Sequence, residues 1–219
     1  MARTMILALL ARVFFLGAPL RAEAPLVWLD PGHGGSDRGA RAPGFEEAAF
    51  SLELARKVEA RLEAAGIRVA LSRSSDLDLS PTARVQSANQ VRPDAAVSLH
   101  ANSSFSRSQG CRVFIPWIPE RGRAEAGATR WDRAQGLQAA ASRELGKSLA
   151  SGLSPGGRGP QSLPLAIFRG LAAPAAEVEC GFSSDAGDLK SLTGDAALEA
   201  LAGRIAQGIL AFLNQPHGS

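Results

Sequence analysis

Two of the three histidines in this 219-residue chain follow short apolar runs of the kind that form buried strands. His33 lies in the sequence Asp-Pro-Gly-His-Gly-Gly at residues 30–35, directly after the apolar run 26–29, and His100 ends the run 95–99. Sites in open parallel sheets gather at the carboxyl ends of strands, and the glycines beside His33 let a ligand approach the backbone. Both rings are therefore candidate metal ligands, with a surface-loop histidine as the alternative for His33.

Glu47 is a candidate third ligand because of its place at the start of a predicted helix. The segment 47–65 repeats apolar residues at helical spacing, and Glu47 projects onto the middle of the apolar side, whereas Glu46 falls near its edge. A carboxylate buried there needs a cation, a helix N-terminus or a metal as its partner. Two histidines and one carboxylate from separate elements form a familiar catalytic zinc set with a fourth position left open. The alternative is a glutamate favoured at a helix start by the helix dipole.

Glu179 is a fourth candidate, at the end of the strand-like run 175–179. Beside a zinc-bound water it would act as general base and then as acid to a leaving amine, a role typically worth about 10²- to 10⁴-fold in rate. The alternative is a surface glutamate at a strand terminus. The motif Gly-x-Ser-x-Gly at 152–156 is rejected as a serine-hydrolase elbow, because it follows a predicted helix and Pro155 lacks the N–H that the oxyanion hole needs.

Strand-like and helical segments alternate along the chain. Short apolar runs predict strands at 26–29, 68–72, 95–100, 111–115, 165–168 and 175–180. Helices are predicted at 47–65, 81–90, 134–150 and 196–213, separated in places by a polar linker at 116–133 and a loop at 151–159. Ser80 and Pro81 form a helix-start signal, and Gly66 a stop signal. This order predicts one α/β domain over 25–214, with a twisted, mostly parallel sheet of about six strands and helices on both faces.

The first 22 residues predict a secretory signal, with a basic start, an apolar stretch from 5 to 20 and small residues for cleavage. An uncleaved anchor or a disordered leader is the alternative.

Three arginines lie in this segment, and the remaining 21 basic residues balance the 21 acidic ones, so charge offers no argument for a nucleic-acid partner. No later stretch reads as a membrane span. Cys111 and Cys180 permit one disulfide in an exported protein, or stay free in apolar surroundings.

Several ordered motifs resemble the zinc-dependent N-acetylmuramoyl-L-alanine amidases of the bacterial cell wall, the class often called amidase 3. The similar segments are 29–35, 47–55, 71–76, 84–89, 98–102 and 174–182. The resemblance runs from about residue 26 to residue 213, nearly the whole predicted domain. Glu177 is a departure, because the family usually has an apolar residue there. It shares a strand face with Glu179, so it either alters the charge of the site or faces solvent at an edge.

The resemblance implies a Zn²⁺ site formed by His33, Glu47 and His100, with Glu179 as catalytic base and acid. It implies hydrolysis of the amide between N-acetylmuramic acid and the L-alanine of the stem peptide, in peptidoglycan or a muropeptide. Asn102 would orient His100 or bind substrate. Two alternatives stay open: a degenerate module that binds peptidoglycan without cutting it, and a zinc amidase acting on soluble muropeptides. We expect a periplasmic protein, or else one that is secreted or associated with the cell wall, and the sequence indicates no particular activator protein.

Overall fold

The computed structural model describes residues 23–104, 108–118, 134–154 and 158–215, so the predicted signal at 1–22 and most of the predicted linker at 116–133 lie outside it. The strands are β1 (Leu26–Pro31), β2 (Arg41–Ala42), β3 (Phe45–Glu46), β4 (Arg68–Leu71), β5 (Ala95–Asn102), β6 (Arg112–Pro116), β7 (Gln161–Leu163) and β8 (Ala175–Phe182). The helices are α1 (Glu47–Ala64), α2 (Pro81–Val91), α3 (Ala134–Leu153), α4 (Ala186–Thr193) and α5 (Asp195–Leu213).

Six strands form one sheet in the order β4-β1-β5-β8-β6-β7, while β2 and β3 form a short separate hairpin. The pairs β4–β1, β1–β5 and β5–β8 are parallel, β8–β6 is antiparallel, and β6–β7 is parallel again. Parallel strands need a crossover connection; α1 lies in the connection between the neighbours β1 and β4, and α2 in the connection from β4 to β5, on the other side of β1. The prediction of a mostly parallel sheet of about six strands is confirmed.

Helices cover both faces of the sheet, as the alternation of side chains along β1 requires. Val27 and Leu29 belong to the larger buried cluster, which includes side chains of α1, α3 and α5. Trp28 points the other way, into a smaller cluster with Val85 and Ala88 of α2. The two clusters put an apolar layer on each side of the sheet, and helices on both faces are confirmed.

Local signals in the sequence account for the ends of two helices. The hydroxyl of Ser80 accepts the N–H of Ala83 (3.2 Å) with Pro81 at the first helical position, so α2 begins where it was predicted. α1 is followed by Gly66 in a left-handed conformation (φ 81°), which a glycine adopts without steric cost.

The predicted strand at 165–168 is wrong. Residues Ala166–Phe168 form a 3-10 turn, and the edge strand is β7, which ends just before Pro164. Proline lacks the N–H that would continue the β-ladder, and Ile167 and Phe168 are buried against the α2 side of the sheet. An apolar run of this length does not by itself distinguish a strand from a turn that packs on a sheet.

Two further helical segments differ from the sequence prediction. α3 continues to Leu153, into the predicted loop 151–159. α4 was not predicted; its N-cap Asp185 accepts the N–H groups of Gly187 and Asp188. This capping pattern is visible in the sequence, but the helix is short and buries one side chain, Leu192.

α5 is long and apolar enough to cross a membrane, the one helix of this kind in the described ranges. Its buried residues, among them Leu201, Ile205 and Ile209, belong to the larger cluster of the domain, packed with α1 and α3. The same composition is typical of a core helix in a globular domain.

Cys111 and Cys180 are free in this structure, and the thiol of Cys111 contacts the carbonyl oxygen of Cys180 at 3.1 Å. The two residues precede and follow a register pair of the antiparallel strands β6 and β8, which brings them close together.

Candidate active site

His33 lies in the loop that follows β1, with its backbone in the left-handed region (φ 58°). This conformation is uncommon for a residue with a side chain and needs support from its surroundings. Arg84 on α2 supplies that support, since its guanidinium donates to the carbonyls of Pro31 (2.7 Å) and His33 (2.6 Å). The same guanidinium pairs with the buried carboxylate of Asp30 (2.6 Å). α2 therefore sets the position of the first histidine.

Glu47 is the first residue of α1, and Arg73 joins that helix to the loop after β1. The Arg73 guanidinium donates to the carbonyls of Gly32 (2.7 Å) and Ala48 (2.8 Å), and Ser51 donates to the same Gly32 carbonyl (2.7 Å). Glu47 is only 3% exposed, in agreement with its predicted place on the apolar side of the helix. The helix start and the loop thus form one hydrogen-bonded unit.

The two imidazole rings meet at one oxygen of Glu47. Its Oε1 lies 3.0 Å from Nε2 of His33 and 2.9 Å from Nδ1 of His100. The ring centroids are 4.9 Å apart, with the planes at 79°. One potential ligand atom from each of the three residues lies within 4.8 Å of the other two. The arrangement suits three ligands of a single metal ion, and His, Glu and His are ligands that zinc prefers.

Backbone N–H groups and the two rings keep the Glu47 carboxylate charged. Oε2 accepts the N–H of Ala40 (2.7 Å), and Oε1 accepts that of Ala101 (3.0 Å). Burial opposes the charge, but the hydrogen bonds with His100 and His33 outweigh burial and lower the pKa of Glu47. Burial also opposes a charge on His100, yet the bond to Glu47 and the neighbouring carboxylates raise the pKa of that ring. The pair therefore favours a charged Glu47 carboxylate and a protonated His100 ring.

Asp37 holds the other side of the His33 ring. Its Oδ2 lies 2.8 Å from Nδ1 of His33, which leaves Nε2 directed at Glu47. A carboxylate on the second nitrogen is the usual way that a metal-binding histidine is oriented. The sequence prediction missed Asp37, although an acidic residue four positions after a histidine in a glycine-rich loop is a usable signal.

Glu179 is the register partner of His100 across the parallel pair β5–β8. Within the described part of the chain, its Oε2 is buried and has no hydrogen-bond partner. Burial raises the pKa of Glu179 to about 7, against the attraction of the charged His100 ring. A half-buried carboxyl with a pKa near 7, next to a candidate metal site, is well suited to accept and return a proton.

Gly32 and Gly39 leave room for the candidate ligands. A Cβ on Gly32 would overlap the ring of His100, and one on Gly39 would lie 2.5 Å from Oε2 of Glu47 and 2.6 Å from Cδ2 of His33. Real Cβ atoms do not approach other atoms so closely. The two glycines therefore allow the backbone to pass directly beside the His-Glu-His group; Gly32 belongs to the glycine-rich loop singled out in the sequence, whereas Gly39 was not predicted.

An open cleft of about 450 Å³ exposes this group, and Asn102, Glu177 and Glu179 also line it. The Asn102 side chain accepts the N–H of Ser103 (2.7 Å), and no hydrogen bond joins it to His100 among the described residues. Its predicted contact with substrate stays a prediction. Glu177 faces the cleft beside His100 rather than bulk solvent, being 8% exposed.

Comparison with known proteins bears directly on this site. The family model described as Amidase_3, N-acetylmuramoyl-L-alanine amidase, matches residues 27–211, which include all four candidate residues. The chain belongs to this family. The match covers the sheet, both helical layers and the cleft.

Individual proteins named as N-acetylmuramoyl-L-alanine amidases are also similar to this chain. N-acetylmuramoyl-L-alanine amidase AmiC of Neisseria meningitidis serogroup B is 28% identical over 229 residues, covering 90% of this chain and 55% of that protein. N-acetylmuramoyl-L-alanine amidase LytC of Bacillus subtilis is 30% identical over 170 residues, covering 76% of this chain and 31% of that protein. The chain thus corresponds to only part of the length of these two amidases.

A solved amidase structure has the same fold. N-acetylmuramoyl-L-alanine amidase AmiC2 of Nostoc punctiforme superimposes with a TM-score of 0.69 at 26% sequence identity. The superposition covers 87% of this chain and 98% of that one. The described domain of the present chain therefore matches a whole amidase chain in its fold.

Proposed function

We propose that this protein is a zinc-dependent N-acetylmuramoyl-L-alanine amidase, which hydrolyses the amide between N-acetylmuramic acid and the L-alanine of the stem peptide. One observation carries the proposal: His33, Glu47 and His100 converge at one point of an open cleft, beside Glu179, whose Oε2 has no hydrogen-bond partner in the described part of the chain. Membership of the Amidase_3 family supplies the class of substrate.

The residues present fit a zinc ion. The donor set is two imidazoles and a carboxylate, and Gly32 and Gly39 leave room for these three side chains. His33 would bind through Nε2, His100 through Nδ1 and Glu47 through its carboxylate, the atoms that face one another in this structure. When bound, Zn²⁺ would lower the pKa of its water towards about 7 and polarise the scissile carbonyl.

Glu179 would carry the proton through the reaction. Its carboxylate accepts a proton from the attacking water and then gives it to the nitrogen of L-alanine, so that the departing stem peptide leaves as an amine. The low-dielectric surroundings raise the pKa of Glu179 to about 7, so the group can both accept and donate a proton near neutral pH. Asn102 is proposed to contact the substrate from the rim of the cleft.

The proposed place of action is the periplasm, or else the cell exterior or the cell wall. The predicted signal at residues 1–22 would direct export, and the substrate class is a wall polymer or a fragment of it. Detection of the processed chain in the periplasmic or extracellular fraction would support this placement, and retention of the full chain in the cytoplasm would contradict it.

The activity is tested by incubating the purified protein with sacculi, with and without a zinc chelator, and identifying soluble products by mass spectrometry. We expect stem peptides with a free L-alanine amino group, only where the chelator is absent. Binding to sacculi without release would instead identify a non-catalytic peptidoglycan-binding module. Release from isolated muropeptides but not from sacculi would limit the substrate to soluble fragments.

A further inference from the structure

Glu177 is a buried charged residue in the interior of the sheet. It lies in β8, with Ser98 of β5 on one side and Phe114 of β6 on the other, and is 8% exposed. Glutamate is rarely buried so completely unless it has a partner, and an unpaired buried carboxylate is costly. The proposed amidase mechanism uses Glu179 and gives Glu177 no task.

The one ionic partner of Glu177 among the described residues is His100. The Oε2 of Glu177 lies 4.0 Å from Nε2 of His100, and no hydrogen bond to Glu177 is formed within the described ranges. The other charges that influence it are Asp30, Glu47 and His33, and the charge of Glu179, two residues along the strand, also interacts with it. Three of these five groups are the candidate metal ligands, so Glu177 is placed to act on that site.

The two histidines are flanked in matching ways. Nε2 of His33 faces Glu47 and its Nδ1 contacts Asp37 at 2.8 Å. Nδ1 of His100 faces Glu47 and its Nε2 has Glu177 as the nearest carboxylate. Each ring thus lies between the shared ligand carboxylate and a second carboxylate on the opposite nitrogen. A neutral imidazole that binds metal through one nitrogen carries its proton on the other.

We propose that Glu177 is a positioning residue for His100, whose Nε2–H it accepts when Nδ1 binds the metal. A rotation of the terminal carboxylate, whose torsion is broad in energy, shortens the 4.0 Å contact to hydrogen-bond length. The bond fixes the tautomer and orientation of His100 and makes Nδ1 a stronger ligand. This inference rests on the proposed metal site and assigns Glu177 a role separate from that of Glu179.

The first test is the zinc affinity of Glu177→Gln, measured by competition with a chromophoric chelator. The substitution keeps the shape of the side chain and removes its charge. We expect at least tenfold weaker binding, as for other carboxylates that orient metal-bound histidines, and a similar loss in Asp37→Asn. Glu179→Gln is the matched control, because it removes a carboxylate from the same face of the same strand; we expect less than a threefold change.

The second test detects the hydrogen bond by NMR, in zinc-loaded protein with ¹⁵N-labelled histidine. We expect the chemical shift of the His100 Nε2–H proton to move upfield in Glu177→Gln, and that of the His33 Nδ1–H proton to change only in Asp37→Asn. Circular dichroism confirms that each variant is folded.

Two outcomes would overturn the inference by itself and leave the amidase proposal standing. In the first, Glu177→Gln has the same zinc affinity and the same His100 Nε2–H signal as the unsubstituted protein. In the second, Glu179→Gln weakens zinc binding as much as Glu177→Gln does, which would indicate that any nearby negative charge has the same effect. If the unsubstituted protein binds no zinc, the proposed metal site fails first and the role of Glu177 fails with it.

Discussion

At the scale of single residues, two carboxyl groups of the site have different pKa values because their surroundings differ. Glu47 accepts two backbone N–H bonds and faces two imidazoles, which lower the pKa of its carboxyl. Glu179 is half-buried, and burial raises its pKa to about 7, while its Oε2 has no hydrogen-bond partner among the described residues. Groups whose pKa values are driven apart in this way are suited to different roles. Glu47 fits a permanently charged ligand, and Glu179 fits a proton carrier.

Replacing Glu179 by glutamine is expected to remove catalysis and leave metal binding intact. Loss of a general base and acid typically lowers kcat by about 10²- to 10⁴-fold. The measurement is the rate of stem-peptide release together with zinc content by atomic absorption. Glu144→Gln, at an exposed pair with Lys147 on α3, is the control with unchanged rate. Full activity of Glu179→Gln would contradict the proposed role.

Zinc affinity is expected to increase with pH. The pKa of His100 is raised in the metal-free protein, because the bond to Glu47 and nearby carboxylates outweigh the effect of burial. Below that raised pKa the ring carries a proton that zinc must displace, so acid weakens binding and base strengthens it, by about tenfold per pH unit for one displaced proton. Calorimetry at pH 7 in buffers of different ionisation enthalpy should show at least one proton released per zinc. Equal affinities at pH 6.5 and 8.5 would contradict this prediction.

At the scale of elements, the carboxyl ends of β1, β5 and β8 bring the site together. The parallel register sets His100 opposite Glu179 and Ser98 opposite Glu177, so one ligand and two carboxylates share a sheet face. The loop after β1 reaches the same place because Arg84 and Arg73 bind its carbonyl groups. The positions of the candidate site residues are therefore set by strand register and by two buried arginines.

Substitution of Gly39 and of Gly44 by alanine separates two effects of an added Cβ: backbone strain and steric overlap with the candidate ligands. Both adopt a left-handed backbone (φ 64° and 73°), but only Gly39 adjoins the site; a Cβ on Gly44 meets nothing within 4 Å. Gly44→Ala should cost about 1–2 kcal/mol of stability and keep zinc affinity. Gly39→Ala should incur the same backbone cost and also lose zinc binding, because its Cβ displaces Glu47 and His33. Urea unfolding and chelator competition measure the two effects, and equal zinc affinity in both variants would refute the crowding argument.

At the scale of the whole molecule, the candidate ligands connect segments far apart in the chain. His33 follows β1, Glu47 begins α1, and His100 lies in β5, 53 positions beyond Glu47. The unfolded chain has no preformed site, and metal binding would therefore add directly to the free energy of unfolding.

Zinc is expected to stabilise the folded domain. At a free concentration of about 1,000 times Kd, the ion adds about 4 kcal/mol, which corresponds to a rise in Tm of roughly 8–16 °C for a domain of this size. Differential scanning calorimetry with zinc and with chelator measures the shift. Glu47→Gln should show little or no shift, whatever its own Tm. An equal shift in Glu47→Gln would indicate that zinc stabilises the protein at another site.

The sequence by itself determined the elements with strong periodic or capping signals and the residues at their ends. The strands that end near His33, His100 and Glu179, the position of Glu47 on the buried side of α1, and the start of α2 at Ser80 follow from local patterns. These features depend on a few neighbouring residues, and so they can be read without knowing what the chain packs against. The 3-10 turn at Ala166–Phe168 could not be read in this way, because packing against α2 and not the local apolar run decides its form.

Only the tertiary structure decided which groups meet. The 2.9 and 3.0 Å contacts at Oε1 of Glu47, the bond from Asp37 to His33, and the approach of Glu177 to His100 depend on strand order, register and loop conformation. The sequence placed Glu177 and Glu179 on one strand face but left open whether Glu177 met solvent or the site. β6 pairs with β8 on the side away from β5, so Glu177 lies inside the sheet rather than at its edge, and the β5–β8 pairing brings it to 4.0 Å from His100. Distances between residues from separate elements are properties of the packed sheet, because each element contributes only its own end to the site.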